Sequence, residues 1–366
     1  MESESSFPGS YGPGDVGFLM RRLELRPIAL PEREQAIQSG ARHYSEMIGP
    51  EDAPTHARMR LFRACLEMNG RRFAGDLVTL AEMLVASATG RSLTLVSLAR
   101  AGTPIGVLLQ RIIQTRAGWS KDAVRHYSIS VIRDRGVDAH ALDWIISRHP
   151  PETIRFLDGW TGKGTISGEL AASLGATPRF DHIDPGLWVP LDISGSARHA
   201  ASEDDYLLPS SLLGGTISGL VSRSVLPRED IGAARFHGCV ELSRLRRYDV
   251  SRWFAAHIEA LCCEAEPRAV RARLDCADKH ARSQEFISEL MTEFGINDRN
   301  RVKIGIGETV RVALRRLPER ILLRDLASPD AQFIARLAAF RGVPVESRPA
   351  MPHEAVGLIA SVLASP

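Results

Sequence analysis

The stretch IRFLDGWTGKGTISGEL, from Ile154 to Leu170, decides the fold that we predict for this chain of 366 residues. Its apolar beginning is typical of a buried strand, and ISGELAASLG at its end is typical of a helix. Between them lies DGWTGKGT, a turn rich in glycine and threonine. Free N–H groups at a helix start favour an anion, and glycine lets the backbone approach it closely. The turn is therefore predicted to bind phosphate.

The turn is not a mononucleotide P-loop. That motif requires Gly, four residues, and then Gly-Lys followed by Ser or Thr. Here Gly164 follows Lys163, and Leu157 stands where the first glycine should be. A different phosphate site is expected.

The flanking sequence extends the pattern into a sheet. SLTLVSLA and VRHYSISVI are predicted strands, and GTPIGVLLQRIIQ and ALDWIISRH are predicted helices. The order β, α, β, α, β, α predicts an α/β fold with a parallel sheet, right-handed crossovers and flanking helices. Parallel sheets bind ligands beyond the carboxyl ends of their strands. ARAGTPIG and DGWTGKGT are both expected there, as two neighbouring anion sites.

Composition limits the class of protein. The net charge of +2 is too small to predict nucleic-acid binding by the whole chain. Five cysteines without a metal-binding spacing favour a reduced, cytoplasmic compartment. No apolar run is long enough for a membrane span, so no membrane partner is expected. The sequence leaves the oligomeric state open.

The chain is predicted to have three parts. Residues 1–25 are rich in Gly, Pro and Ser and are expected to form a disordered tail. Residues 26–274 form the larger domain, in which a lobe near residues 184–250 is expected to cap the site. Residues 275–366 alternate again between helices and strands, ending in a helix over HEAVGLIASVL. They are predicted to form a small α/β domain.

At this point the sequence resembles known families. RFLDGWTGKGTI resembles the phosphate loop of type I phosphoribosyltransferases, SLARAGTPIG their pyrophosphate turn, and SVIRDRG their flap. Together with DYLLPSSLLGGTISGLVSR, these motifs resemble the phosphoribosyltransferase-like proteins of bacterial tellurium-resistance and stress operons, whose members often carry the label cysteine protease StiP. The sequence from about Lys279 onward, with KIGIGETVRVALRRL, resembles the pelota-type RNA-binding domain that this family carries at its C-terminus.

This resemblance implies an enzyme that binds phosphoribosyl pyrophosphate, or a related nucleotide, with Mg²⁺ and carries out glycosyl transfer or its reverse. Asp158, Arg100 and Arg133 would be catalytic, with Asp158 stabilising an oxocarbenium-like centre and the arginines neutralising the leaving group. Metal ligands cannot be assigned. The residues implied to bind phosphate are Ala101, Gly102, Thr103, Arg135, Gly159, Thr161, Gly162, Lys163, Gly164 and Thr165.

Further candidates are less specific. Asp204, Asp205 and Arg223 are possible substrate residues, although a charge run is more often a solvated surface. In the C-terminal domain, Lys303, Arg311 and Arg315 are RNA candidates, with helix-surface solvation as the competing interpretation. These alternatives stay open at the level of sequence.

Two other functions compete with a transferase. Type I enzymes have two acids at the end of the loop strand, but Gly159 follows Asp158 here. A non-catalytic sensor that binds a phosphoribosyl ligand and RNA is therefore one alternative. A cysteine hydrolase is the other, with Cys239 two residues after His237. We favour a buried structural Cys239, because no orienting residue or oxyanion hole is evident nearby. Cys262 and Cys263 are expected to pack within a helix.

Overall fold

A computed structural model describes residues 6–268 and 276–362. The chain forms a large sheet, a smaller second sheet and a two-stranded pair. In chain order the strands are β1 (Gly17–Phe18), β2 (Arg21–Arg22), β3 (Leu93–Ala99), β4 (Val124–Ile132), β5 (Gly136–Val137), β6 (Ile154–Leu157), β7 (Leu187–Leu191), β8 (His199–Ser202), β9 (Gly238–Cys239), β10 (Val302–Ile304), β11 (Pro318–Leu323), β12 (Val345–Ser347) and β13 (Ala355–Ile359).

The helices cover the sheets or connect their strands. In chain order they are α1 (Leu30–Gln38), α2 (His56–Ala86), α3 (Gly102–Arg116), α4 (Ala139–Ile146), α5 (Thr165–Gly175), α6 (Ser251–Glu264), α7 (Cys276–Glu293), α8 (Ile306–Arg315) and α9 (Pro329–Phe340). Short 3₁₀ turns link several of them, including one at Arg299–Arg301. No helix in the described part of the chain is both long and apolar enough to span a membrane.

The large sheet confirms the predicted α/β class. Its order is β1-β4-β3-β6-β7-β8, every neighbouring pair in this order is parallel, and β5 adds to β4 in antiparallel fashion. β3 lies between β4 and β6, and its side chains are buried from Leu93 to Leu98. The helices α3 and α5 begin just beyond β3 and β6, so both predicted turns lie at the same edge.

The C-terminal domain has a sheet of order β10-β13-β11-β12. The helix predicted over HEAVGLIASVL is wrong, because its core forms the central strand β13, antiparallel to both β10 and β11. A central strand is buried on both faces, which gives a continuous apolar run that periodicity cannot distinguish from a buried helix. Gly357 is required there, because a Cβ would lie 3.1 Å from Cβ of Val312 on α8.

The N-terminal segment is ordered from residue 6 onward, in contrast to the tail predicted over residues 1–25. β1 pairs with the edge strand β4, and Tyr11 and Phe18 are 1% exposed. The Tyr11 hydroxyl donates to the carbonyl oxygen of Ile217 at 2.9 Å. Residues 1–5 lie outside the described residues. Aromatic side chains buried against distant parts of the chain thus override the Gly- and Pro-rich composition.

The predicted capping lobe also differs from expectation. Its first part supplies β7 and β8 to the large sheet, and residues 206–222 are buried throughout. Leu207, Leu208 and Leu212 belong to the main apolar core. The segment is therefore a core element that lines one wall of the site rather than a lid over it.

Candidate functional site

A cleft of about 930 Å³ lies between the two domains. One wall is formed by the turns that follow β3 and β6, and the other by β10 and α8 of the C-terminal domain. The segment between α1 and α2 contributes Glu51, and the first turn of α2 contributes Arg58. The site is therefore built from both domains.

The two predicted turns are in contact. A Cβ on Gly159 would lie 3.2 Å from the carbonyl oxygen of Ala101. Gly102 is buried at the start of α3, where a Cβ would lie 2.5 Å from the carbonyl oxygen of Leu157. Thr103 is fully buried, and its hydroxyl shares a 2.8 Å hydrogen bond with Ser128. Gly102 and Thr103 therefore hold α3 against the sheet instead of facing the cleft, contrary to the prediction.

The loop between β6 and α5 presents free donors to the cleft. Gly164 adopts a left-handed conformation, with φ of 85°, and caps α5 without a side-chain hydrogen bond. Within the described residues, the N–H groups of residues 162–166 have no hydrogen-bond partner. Thr161 is instead fixed from behind, because its hydroxyl donates to Asp192 at 2.6 Å and its N–H to the carbonyl oxygen of Leu191 at 3.0 Å. The loop is a preformed anion cradle.

The C-terminal domain closes the far side of this loop. Lys163 Nζ donates to the carbonyl oxygen of Arg299, and Gln284 Nε2 donates to the carbonyl oxygen of Lys163 at 3.0 Å. A Cβ on Gly164 would lie 2.9 Å from Cε1 of His280. Burial, with Lys303 and Arg299 nearby, lowers the pKa of Lys163 to about 7. The loop is therefore open only toward the cleft.

Asp158 lies in the cleft at the carboxyl end of β6. Its Oδ1 accepts the N–H of Gly159 at 2.7 Å. Burial raises the pKa of the Asp158 carboxyl to about 7, and Glu308 of the C-terminal domain adds to this effect while Arg311 opposes it. The carboxyl can therefore take up or release a proton near neutral pH.

Arg100 also lines the cleft, but it is paired. Its NH1 lies 2.6 Å from Glu51 Oε2 and 2.8 Å from Glu51 Oε1. Burial alone would raise the pKa of Glu51, but Arg100 and Arg315 lower it to about 2. Glu51 remains ionised, so Arg100 is largely neutralised before any ligand binds.

The two flap arginines are engaged as well. Arg133 donates from Nε to Asp134 at 2.9 Å and from NH1 to Asn300 of the C-terminal domain at 2.8 Å. Arg135 donates to Glu46 at 2.5 Å and to the carbonyl oxygen of Leu226 at 3.1 Å. Arg135 thus fixes the chain around β5, whereas Arg133 bridges the two domains at the cleft.

The less specific substrate candidates Asp204 and Asp205 lie in different environments. Asp204 lies outside the cleft and pairs with Arg72 at 2.7 Å and Arg268 at 2.9 Å. Asp205 joins the domains, because its Oδ1 accepts the N–H of Ile306 at 2.9 Å and its Oδ2 that of Glu354 at 3.2 Å. Neither residue therefore faces a ligand in the cleft.

Arg223 lies in the cleft wall. Among the described residues its guanidinium donates to backbone carbonyl oxygens, including that of Tyr44 at 2.7 Å. Burial lowers the pKa of Arg223 to about 10, with Arg33 adding to the effect. Tyr44 lies between two cations, with its ring centroid 5.0 Å from Arg133 and 5.4 Å from Arg223. Arg223 thus keeps its charge unpaired by a carboxylate.

The three RNA candidates of the C-terminal domain all line the cleft. Arg311 forms an ion pair with Glu308 at 2.5 Å. Lys303 and Arg315 have no side-chain hydrogen bond or ion pair with any described residue. Burial lowers the pKa of Lys303 to about 8 and that of Arg315 to about 9. Neither cation therefore bonds directly to a described carboxylate, although the charge of Glu308 acts on Lys303 and that of Glu51 acts on Arg315.

Basic side chains in the cleft outnumber acidic ones more than twofold. The acidic ones are Glu46, Glu51, Asp52, Asp158, Asp298 and Glu308. The basic ones are Arg33, Arg42, Arg58, Arg100, Arg133, Arg135, Lys163, Arg223, Arg228, Arg301, Lys303, Arg311, Arg315, Arg316 and Arg341. This excess gives the cleft a strongly positive potential although the whole chain carries only +2.

Sequence reasoning missed several residues of the cleft. Glu51 and Arg58 come from a segment without a recognisable motif, and Glu308 lies on the opposite domain. Cys276 and His280 are spaced four residues apart in α7, so they lie on one face of the helix, and this spacing can be read from the sequence.

All five cysteines are free. Cys239 is completely buried, and burial raises the pKa of its thiol to about 12. His237 Nδ1 instead contacts Ser130 Oγ at 2.8 Å. Cys263 is exposed and Cys276 is partly exposed, whereas Cys65 and Cys262 are buried. Cys239 and His237 therefore form no nucleophile–base pair in this conformation.

Comparisons with known proteins identify the family. A family model described as tellurite-like stress resistance cysteine protease StiP matches residues 9–259. The chain belongs to the StiP family. The protein named Cysteine protease StiP from Acinetobacter baylyi is 39% identical, over 97% of this chain and 95% of that protein. The model of the PELOTA RNA-binding domain matches residues 281–361. The resemblances to the StiP family and to the pelota-type RNA-binding domain are confirmed.

Among solved structures, the alignment with an aminotransferase from Eubacterium rectale covers 92% of this chain and 84% of the aminotransferase chain. Its sequence identity is 10% and the TM-score is 0.21, which is too low to support a common fold.

The expected enzyme class is wrong. The StiP family and the relative from Acinetobacter baylyi are both named as cysteine proteases, and neither comparison supports phosphoribosyl pyrophosphate binding or phosphoribosyl transfer. The transferase and the phosphoribosyl sensor are therefore set aside. The expected Mg²⁺ stays a prediction. In residues 6–268 and 276–362 no three His, Cys, Asp or Glu side chains form a group that could hold a metal ion.

Proposed function

We propose that this member of the StiP family binds RNA in the basic cleft between its two domains. The match of residues 281–361 to an RNA-binding domain supports this assignment, and that domain forms one wall of the cleft. The free cysteines suit a reduced, cytoplasmic setting for such a protein. The parallel sheet and the loop after β6 also support a distant relation in fold, although not in activity, to type I phosphoribosyltransferases.

The pair of unpartnered cations carries this proposal. Burying a charge is costly unless an opposite charge or hydrogen bonds compensate it. Lys303 and Arg315 line the cleft without a hydrogen bond or ion pair to a described side chain, and the nearby charges of Glu308 and Glu51 offset their burial only in part, because both pKa values stay lowered. An anionic ligand would supply charge-assisted hydrogen bonds to arginine and lysine side chains in this state. The residues thus favour phosphate groups as the missing partners.

The two cations lie in different parts of the cleft. Lys303 lies near Arg133 and Lys163, beside the loop after β6. Arg315 lies near Arg100 and Arg58, beside the turn after β3. Two separate positive regions in one cleft suit the repeated phosphates of a nucleic-acid chain. The cleft volume of about 930 Å³ suits a few nucleotides of a single strand rather than a duplex.

RNA binding by the full-length protein can be measured by fluorescence anisotropy with a labelled single-stranded RNA. We expect affinity to fall steeply with salt, because each phosphate contact releases condensed counterions. Affinity should also fall as the pH rises from 7 to 9, because Lys163 and Lys303 lose their charges as the pH passes their lowered pKa values. Absence of binding even at low salt would refute the proposal.

A second candidate function is peptide hydrolysis by a cysteine thiolate. The description of the StiP family and the name of the 39% identical relative favour it. Cys239 is unsuitable in this conformation, because its thiol is fully buried. Cys263 is exposed, but no described histidine contacts it. We therefore place the candidate nucleophile at Cys276.

Cys276 lies in the first described turn of α7, and His280 lies one helical turn later on the same face. His280 Nδ1 is buried and has no hydrogen-bond partner in the described chain. The turn packs against Gly195, whose Cβ would lie 2.4 Å from the carbonyl oxygen of Cys276. His280 also contacts the loop whose free amides could stabilise an oxyanion.

Substitution of the cysteines tests whether Cys276, rather than Cys239 or Cys263, is the nucleophile. If the protein hydrolyses an unstructured substrate such as casein, Cys276→Ala should abolish the activity, and Cys239→Ala and Cys263→Ala should retain it. Iodoacetamide should label Cys276 before the buried thiols, as read by mass spectrometry of peptides. Full activity of Cys276→Ala would exclude this nucleophile, and inactivity of the unmodified protein toward peptides would exclude the second candidate.

A further inference from the structure

The loop after β6 lies at the closed end of the cleft, so a nucleic-acid chain lying in the cleft would end there. α7 and the turn Arg299–Arg301 cover its outer side through the contacts of Lys163 with Arg299 and of Gln284 with Lys163. His280 lies against Gly164 on the same side. Within the described residues these contacts cover the outer side of the loop, so a strand that enters from the cleft would end at the loop.

The hydrogen-bond donors of this loop face the cleft. The N–H groups of residues 162–166 are free, and α5 behind them is eleven residues long. Lys303, which lacks a hydrogen-bond or ion-pair partner in the described chain, lies deep in the cleft near this loop. Lys163 lines the cleft here too, although its Nζ donates to the carbonyl oxygen of Arg299 and its pKa is lowered to about 7. The charges and the amides thus converge on one small region.

We propose that this region binds a terminal phosphate monoester of the RNA, so that the cleft recognises an end of the strand. This inference rests on the proposed RNA binding. A monoester carries close to two negative charges at neutral pH, whereas each internal phosphodiester carries one. It also offers three terminal oxygens to the converging donors. Only a terminal phosphate can bind at the closed end of the cleft, because an internal phosphate would require the RNA chain to continue beyond the loop.

Competition binding with unlabelled RNA of one sequence tests this. The competitors carry a 5′-phosphate, a 3′-phosphate, hydroxyls at both ends, or no ends because the RNA is circular. We expect one of the two phosphorylated forms to compete about tenfold more strongly than the hydroxyl-ended and circular forms, because of the added charge-assisted hydrogen bonds. Which form does so identifies the recognised end.

Two variants locate the preference within the cleft. Lys303→Gln should remove the advantage of the phosphorylated end, because Lys303 lies at the loop. Arg315→Gln, beside Arg100, should weaken all competitors by the same factor and keep their ranking. Equal competition by phosphorylated and circular RNA would overturn end recognition while leaving RNA binding intact. If no RNA competes or binds, the proposed function itself fails.

Discussion

Replacing Lys303 and Arg315 together by glutamine is expected to weaken RNA binding roughly 100-fold, because two phosphate contacts are lost. The same variant should be more stable than the unmodified protein when no RNA is present. Burial lowers the pKa of both residues, so each charge is less favourable in the folded protein than in water. Removing each charge should raise the free energy of unfolding by on the order of 1 kcal/mol.

The pH dependence of this increase in the free energy of unfolding identifies its cause. A lysine with a lowered pKa destabilises the folded protein while it is charged, so the benefit of Lys303→Gln should be full at pH 7. It should shrink as the pH rises above about 8, the pKa of Lys303 in the folded protein. Urea unfolding at several pH values measures this directly.

A matched control removes the same charge elsewhere in the C-terminal domain. Arg336 is exposed on α9, and Arg348 pairs with Glu293 and Glu346 at the surface. Replacing both by glutamine should leave RNA affinity within a few-fold and should not stabilise the protein. A loss of affinity as large as that of the cleft variant would mean that general charge, and not the cleft, governs binding.

The sequence predicted the large sheet well, for a local reason. β3 and β6 are short apolar runs bounded by turns, and each is followed directly by the helix that the pattern indicated, whereas the alternating strand β4 is followed by the unpredicted short strand β5 before α4. The prediction failed at β13, where burial on both faces erased the alternation that marks a strand. It also failed for Tyr11 and Phe18, because their partners lie far away in sequence.

The site was predictable only in part. Asp158 and the loop that follows it were found because one continuous segment carries the turn, the glycines and the helix start. Gly102 and Thr103 matched the same kind of pattern, yet they face the core through Leu157 and Ser128. Whether a glycine admits a ligand or a neighbouring strand depends on tertiary contacts that a motif does not contain. The pairing of Arg100 with Glu51 was invisible for the same reason.

Gly106→Ala is expected to lower the free energy of unfolding by about 3 kcal/mol, the largest effect on stability that we predict. Gly106 lies within α3, where a Cβ would lie 2.1 Å from Nε2 of His126. The ring cannot move aside easily, because its Nε2 contacts Ser97 Oγ at 2.8 Å and its Nδ1 contacts the carbonyl oxygen of Asp15 at 2.9 Å. Intrinsic helix propensity alone would make the same change favourable by about 1 kcal/mol.

Gly168→Ala provides the control, because Gly168 lies within α5 and has no atom within 4 Å of its Cβ position. It should gain roughly 0.5–1 kcal/mol from helix propensity. Urea unfolding followed by circular dichroism should thus give midpoint shifts of opposite sign for two identical substitutions. Combining Gly106→Ala with His126→Ala should cost less than the sum of the separate changes, because the smaller side chain removes the clash. An additive result, or a Gly106→Ala midpoint equal to that of the unmodified protein, would show that His126 does not constrain α3 and that this contact does not hold the turn after β3 in place.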